Sequence, residues 1–552
     1  MLAAAPPVRA QSLCDGRPIR TIHVETANLF APGDPDFLGV VRAVGNALHW
    51  QTRSEVVRRE LLFHEGEPCD PARLAETARV LRAQPYLREA IVIAVAAPDS
   101  GVDVMVETRD DWSLRGSIRI GDNDGFPVRQ VRVADEDVLG RGMRVQVSYD
   151  GLQRRPAYEV DATTHQFLGR FEAQGVLGRS SAGPIVEQLV LRPFKSEFDR
   201  VAWRESVRFR KEPFILVAPA FGWVGVPVLA ASADLGGAVR WGTPGRLAML
   251  GAALSWERLL AVDDPLAHEA AFDSLAAAAV AGRFSELRRI RLHLFAGARA
   301  VRFRPRYGVD AVHALEDVRE GVEAGIVVGK SLFGGAGLQR DWFAAGELTL
   351  GAEFQRVLAF VRAKVEGRYL LADRRWDGML ADGQALVYTN VSHRGVLVLS
   401  AAGSGGWSTR TPFQLLLGGP AGIRGYGMNS LPVGRRIVLL GEHRYFVGSL
   451  FGVADLGTSA FVDVGRGWAG DAVFGEDTGL RAAVGGGLRI AAPRGSRRTY
   501  RIDLAVPLSR SGGVEFQISV NQQFGVSRGE PADFARSREQ VSSGTIFNFP
   551  RF

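Results

Sequence analysis

Residues 417–463 read LGGPAGIRGYGMNSLPVGRRIVLLGEHRYFVGSLFGVADLGTSAFVD. Two short motifs stand in this stretch, Gly422-Ile423-Arg424-Gly425-Tyr426 and Phe461-Val462-Asp463-Val464-Gly465, one strand-loop-strand length apart. The first flanks an arginine with glycines, and a side chain on a tight hairpin tip can be aimed sideways only where the neighbouring backbone is free to take φ > 0. The second sets Asp463 on an alternating strand whose Val462 and Val464 face the other way. An arginine and an acid so placed are expected to pair inside a protein cavity.

Working outward, residues from Asp111-Trp112-Ser113 to about Phe524 repeat alternating segments of roughly ten residues. Met143, Val145, Val147 and Tyr149 alternate with Arg144, Gln146, Ser148 and Asp150. Ile290, Leu292 and Leu294 alternate with Arg289, Arg291 and His293, and Val301, Phe303 and Tyr307 with Arg302, Arg304 and Arg306. Ile502, Leu504, Val506 and Leu508 alternate with Arg501 and Asp503. One side of each segment suits lipid and the other water. A soluble sandwich alternates too, so alternation alone does not choose. Length does: roughly 410 residues at ~25 per strand and loop give about sixteen strands, more than open sheets usually hold. The expected fold is a transmembrane antiparallel β-barrel.

Phe214 to Ala233 carries no charge and is long enough for a membrane helix, but Pro219, Pro227, Gly222 and Gly225 interrupt it. Each proline inside a helix would cost about 3 kcal/mol, so strand and loop are expected there.

Before the barrel, residues 17–110 read as a small mixed domain of order strand-helix-helix-strand-strand. Ile22 and Val24 start it, and Thr52-Arg53-Ser54-Glu55 has the spacing of a capping box ahead of Val57, Leu61 and Leu62. Asp70 then Pro71 open a second helix with Leu74, Ala78 and Leu81 on one face. Ile91, Ile93 and Val95 form one strand, and Val102, Val104 and Val106 alternate with Asp103 and Glu107 in the next. Residues 27–50 are an insertion with Phe37, Val41, Val44 and Leu48 along one side of a short helix, expected to pack on its own domain.

The 552 residues, with 65 Gly, 30 Phe and 10 Trp, exceed one ordinary domain and favour strands and turns. Formal net charge is +7 and nearly all the basic residues are arginine, which suits phosphate-bearing lipid headgroups or a polar pore. No basic run or zinc spacing points to nucleic acid. Val8-Arg9-Ala10 before Gln11 has the look of the cleavage end of a secretory signal without its apolar core, so residues 1–16 read as signal remnant and linker. The two cysteines, Cys14 and Cys69, are open to one bridge or two thiols.

Other motifs carry no chemistry. Ala324 to Ser331, AGIVVGKS, fits a relaxed phosphate-loop pattern, yet its β-branched residues and the LFGGAGL that follows cannot build the helix N-terminus such a loop needs. Asp122-Asn123-Asp124-Gly125 lacks the later ligands of a calcium loop and reads as a hairpin tip. Gly485-Gly486-Gly487 marks close backbone approach in a barrel wall. No HExxH, nucleophile elbow or cysteine metal site is present, so neither catalysis nor a cofactor is expected.

LGGPAGIRGY and FVDVG, with LLGEHRYF between them and the early DVLGRGMRVQVSY (Asp137 to Tyr149), resemble the superfamily of BamA/TamA-type outer-membrane assembly barrels, bacterial surface antigens and two-partner-secretion transporters. FHEGEPCD (Phe63 to Asp70) and LRAQPYLREA (Leu81 to Ala90) are similar to connections in that superfamily's periplasmic POTRA domain, and the likeness runs from residue 17 to about 525. It implies a single POTRA-like domain over 17–110, a barrel over 111–525 and a tail over 526–552. It also implies that Cys69 returns to the end of the domain where Cys14 begins, a geometry compatible with a bridge.

By the same resemblance the RGY loop folds into the lumen and Arg424 pairs with Asp463. Gly422, Ile423, Gly425 and Tyr426 then form the lumen-loop motif, with Phe461 and Gly465 completing the partner strand. Val514, Phe516, Ile518, Val520 and Phe524 share one face of the final strand, like an outer-membrane targeting signal. The polar tail ending IFNFPRF departs from the superfamily's pattern. It is expected to lie disordered in the periplasm, or to dock its closing aromatic segment on a strand edge or in the pore.

The implied activity is insertion or translocation of unfolded outer-membrane or secreted polypeptides through a lateral seam in a Gram-negative outer membrane. Lipid, lipopolysaccharide, periplasmic chaperones and accessory lipoproteins are the other partners so implied. A two-partner-secretion transporter is the alternative, weakened by one POTRA-like domain and no recognisable plugging helix. A passive porin-like channel is another.

Overall fold

The structure is a computed structural model that describes residues 13–14, 16–30, 39–98, 101–120, 128–151, 157–219, 222–262, 278, 280–284, 286–332, 338–389, 394–419, 422–427, 430–508, 515–520 and 530–541. The signal remnant over residues 1–12, Phe37, the Asp122–Gly125 tip, Val514, Phe524 and the closing IFNFPRF lie outside the described residues, as do the side chains of Val41, Phe516, Ile518 and Val520.

The N-terminal domain is a three-stranded sheet with β3 (Val102–Asp110) between β1 (Ile19–Ala27) and β2 (Leu87–Ala96), parallel to the first and antiparallel to the second. Val102, Val104 and Val106 are fully buried because the central strand turns that face into the core. Three helices flank the sheet: α1 (Gly39–Ala47), α2 (Ser54–Arg59) and α3 (Pro71–Arg82). Asp70 caps α3 by accepting from the Ala72 amide at 2.8 Å, and Leu74, Ala78 and Leu81 are buried as their spacing requires. A disulfide joins Cys14 to Cys69, both buried.

Two expectations for this domain are corrected. The capping box does not form: Arg53 sits at the N-cap of α2 without a side-chain cap bond, while Thr52 Oγ1 donates to Asp137 Oδ2 at 2.8 Å. The threonine is spent on the barrel. Nor does the insertion helix α1 pack its apolar side on the domain, since Val44 and Leu48 are exposed.

Twenty strands among the described residues close into a barrel, not the expected sixteen or so. In order they are β4 (Leu114–Ile120), β5 (Val128–Asp135), β6 (Met143–Asp150), β7 (Ala157–Phe167), β8 (Phe171–Arg179), β9 (Pro184–Arg192), β10 (Val201–Ala218), β11 (Gly222–Thr243), β12 (Arg246–Ala261), β13 (Leu287–Tyr307), β14 (Leu315–Ser331), β15 (Asp341–Phe354), β16 (Val357–Leu370), β17 (Arg375–Thr389) and β18 (Gly395–Trp407), followed after a long loop by β21 (Arg435–Leu450), β22 (Ala454–Trp468), β23 (Gly479–Ala491), β24 (Tyr500–Pro507) and β25 (Glu515–Val520). The loop holds a two-residue hairpin, β19 (Leu415–Leu416) with β20 (Pro432–Val433). Sequence counting was low because hairpins are tight: six strands fit between Leu114 and Arg192. β25 returns beside β4.

The wall is inside out relative to a soluble protein. Leu292, Leu294, Leu250, Leu254, Ile326 and Leu439 are exposed, whereas Arg289, Arg291, Arg368, Arg424, Arg489 and Arg501 are among the largest fully buried side chains. A sandwich would bury its apolar face, so this distribution decides for a membrane barrel. Trp203 and Trp241 lie on exposed positions toward the end bearing the N-terminal domain, and Trp256, Trp342, Trp376 and Trp407 toward the far end, as two aromatic girdles would. One alternating segment is inverted: Val301 is buried and Phe303 lies 4.4 Å beneath the guanidinium of Arg79 of α3, while Arg302 is exposed. That part of β13 has passed below the lipid and meets the N-terminal domain.

The N-terminal domain spans the rim. Arg82 grips Asp317 at the start of β14 with two 2.8 Å bonds, the Glu197 amide donates to Glu76 at 2.7 Å, Gln166 donates to the Val56 carbonyl at 2.8 Å, and Arg497 donates to the Gln84 and Leu87 carbonyls at 3.0 and 2.9 Å. Beneath β5 and β6 the buried Asp137 also accepts from the Gly142 amide, and burial pushes its carboxyl up to about 6.

Candidate functional site

The loop from β18 to β21 enters the lumen. Its apolar residues Phe413, Leu415, Leu417, Ile423, Tyr426 and Val433 form one cluster with Phe360, Leu386, Tyr388 and Val398 of the wall, which is what holds a long loop inside a charged barrel. The turn needs its glycines. At Gly422 a Cβ would stand 1.8 Å from the Leu417 carbonyl oxygen, and Gly425 takes φ +85° with its back against Ala483, Ala505 and Pro507.

That turn delivers Arg424 to a buried ionic cluster. Arg424 Nε and Nη2 donate to the two oxygens of Asp463 at 2.8 and 2.7 Å, and its own amide donates to Asp463 at 3.1 Å. Nη1 donates to Glu442 Oε2 at 2.8 Å and lies 3.8 Å from Asp503. The other Glu442 oxygen accepts from Arg444 at 3.1 Å and Arg489 at 3.0 Å, and Arg489 closes the circuit on Asp503 at 2.5 Å. The other acids and arginines come from β21, β22, β23 and β24, and Arg424 from the loop. A bidentate pair adds geometric specificity to charge, and a buried one leaves costly orphans if either partner goes.

The remaining motif residues serve this arrangement. The guanidinium of Arg424 sits 3.4 Å above the centre of the Phe461 ring. That ring covers Gly485, where a Cβ would be 2.3 Å from Phe461 Cζ. Gly465 makes room for Ile423, whose Cδ1 would lie 2.9 Å from any Cβ there. Tyr426 donates its hydroxyl to the Ala482 carbonyl at 3.1 Å.

A second element shares the lumen. Part of the tail forms α4 (Ala532–Val541), against the expectations of a disordered tail and of no plugging helix. Arg436 of β21 donates to Asp533 at 2.5 and 2.9 Å, the Leu416 amide donates to Asp533 at 3.1 Å, and Ser537 donates to the Gln414 carbonyl at 2.8 Å. Phe534 is buried edge-on against Phe413, their centroids 6.4 Å apart. The tail thus packs on the loop that carries Arg424.

Sequence reasoning named Arg424 and Asp463 but not Glu442, Arg489 or Asp503 as members of their cluster. The signal was present, because Glu442 stands in LLGEHRYF and Asp503 on the water side of RIDLAVP. Nothing local shows that β21 and β24 aim these groups at one point.

Residues 381–529 match the Omp85 superfamily domain. Among solved structures the chain is similar to BamA from Haemophilus ducreyi lacking POTRA domains 1–3, at 12% identity over 92% of this chain and 84% of that one, with a TM-score of 0.38. It is also similar to CdiB from Escherichia coli, at 10% identity over 92% and 76% with a TM-score of 0.43, and to CdiB from Acinetobacter baumannii, at 10% over 92% and 74% with a TM-score of 0.38. No curated protein matches the chain. The matched residues hold β18, the lumen loop and the whole Arg424 cluster.

Proposed function

We propose that the chain inserts or translocates other polypeptides at the outer membrane of a Gram-negative bacterium, with the N-terminal domain as a POTRA-like module in the periplasm. The observation that carries this reading is the clamp of a lumen loop on β21 to β24, beside the junction where β25 meets β4. The edges of those two strands, once parted, are what a client strand can extend by β-augmentation. β2, an outer strand of the N-terminal sheet with Ile91 and Val95 exposed, offers a first landing edge. Gly422 to Tyr426, with Phe461, Asp463 and Gly465, would steady the lumen while the junction opens.

A passive pore fits less well, because the loop and α4 share the lumen and the N-terminal domain spans the rim. The same α4 favours a second reading, a transporter for one dedicated exoprotein that keeps its channel filled at rest.

Depleting the protein and cataloguing the outer membrane tests the choice. Loss of many barrels supports insertion, loss of one secreted protein supports dedicated transport, and an unchanged catalogue sinks both. A photoreactive residue at Ile118 of β4 should capture client polypeptide, whereas one at Leu250 of β12 should not.

A further inference from the structure

The insert between β1 and α2 presents an apolar stripe. Val40, Val44 and Leu48 follow at i, i+4 and i+8 along and just past α1 and lead to Trp50, with exposures of 71, 50, 64 and 57%. The stripe is held rigidly. Asn46 exchanges hydrogen bonds of 3.2 and 3.0 Å with the Phe30 backbone, and Gly45 lies flush on the Phe30 ring. His49 is 3.0 Å from Asp110 and 3.2 Å from Ser113, the residue before β4 begins. Arg53 donates to the Gly140 and Leu139 carbonyls at 3.0 and 3.2 Å. The insert therefore runs along the rim beneath β4 to β6.

The wall above it is apolar. Leu114, Ile118, Val133 and Val147 are exposed on β4 to β6, and Leu139 is exposed in the rim turn itself, so the apolar surface continues from wall to insert. Lipid in contact with this wall meets the same continuous apolar surface at the rim, where α1 adds its own apolar side chains. Arg53 and Arg141, exposed on the same rim, suit the headgroup phosphates.

We propose that α1 is an interfacial helix seated in the phospholipid leaflet on the N-terminal domain's side, anchoring that domain under the β25–β4 junction. The inference rests on the barrel being in a membrane and not on what it transports. Full-length protein in nanodiscs of phosphatidylethanolamine and phosphatidylglycerol tests it, with an environment-sensitive fluorophore on Leu48→Cys and, as reference, on His64→Cys. Spin-labelled lipid should quench the first label about threefold more than the second, and aqueous iodide the reverse. Equal iodide quenching at both sites overturns the proposal. So does shielding of position 48 from both quenchers, which would give the stripe to a protein partner. In Val44→Asp carrying a label at Trp50→Cys, lipid quenching should fall while the barrel keeps its heat-modifiable mobility; undiminished quenching overturns the proposal without any question of misfolding.

Discussion

Two sides of the barrel are built differently. On the tall side all 18 residues of β10 pair with the 22-residue β11, and β13 has 21 residues. On the short side β24 has eight residues, and β8 and β9 have nine each. Every ladder bond in lipid closes a backbone group that water cannot, so the tall wall secures itself. The short wall is braced from within. The RGY turn rests on Ala483, Ala505 and Pro507, and the Arg424 cluster draws on Asp503 of β24 and Arg489 of β23. Charges are buried on the tall side too, where Asp341 holds Arg289 at 2.9 Å and Arg291 at 2.7 Å, all three on wall strands. Wall strength has moved from the ladder to the lumen on the side where the junction lies.

The comparison breaks most sharply at the clamp. Arg424→Ala strands Asp463 and leaves Glu442 with Arg444 and Arg489 alone, and should cost about 3–5 kcal/mol, read as faster amide exchange in β23 and β24 with β10 to β12 unchanged. Asp341→Ala should leave exchange in β24 as it was; equal loosening by both variants would end the distinction between the walls. Exchanging the charges, Arg424→Glu with Asp463→Arg, should rescue only in part, because Glu442 and Asp503 would then face a glutamate.

Removing Asp533 is next. Asp533→Ala leaves Arg436 buried without its carboxylate and should cost about 3 kcal/mol of α4 docking, shifting the docked ratio roughly 100-fold. Planar-bilayer recordings should show larger and more frequent openings; unchanged conductance would mean the loop alone fills the lumen.

The rim beneath the short wall should respond to pH. Asp137 is buried and its folded pKa, about 6, lies above the ordinary value of 3.8, so the folded state binds the proton more tightly. Its contribution is complete below pH ~4 and is lost as pH rises through about 6, an effect of about 2–3 kcal/mol. Asp137→Asn should flatten the pH dependence of proteolysis at the 138–142 turn; a dependence that survives would assign it to another group. Smallest is Gly425→Ala, where a side chain at φ +85° and 3.3 Å from Ala483 should cost about 1–2 kcal/mol, seen as a lower unfolding temperature.

Much of this was legible in the residues. Period-two alternation gave the wall, Asp70-Pro71 the start of α3, and the RGY and FVDVG motifs the two ends of the clamp. What misled was also local. Thr52-Arg53-Ser54-Glu55 has the spacing of a capping box, yet Thr52 found Asp137, 85 residues away. Val301 and Phe303 alternate as well as Leu292 and Leu294 do, but where β13 leaves the lipid the apolar side turns to the N-terminal domain.

Alternation along a strand is written in consecutive residues because side chains on a pleated backbone must point to opposite faces, and glycine spacing is likewise a property of the turn itself. These belonged to the sequence alone. Which acids meet Arg424, that α4 folds onto the loop, and that one wall is short were decided by closure of the barrel. Closure brings β21 to β24 and the C-terminal helix around one point, and those distances depend on the register of all twenty strands rather than on any stretch of chain.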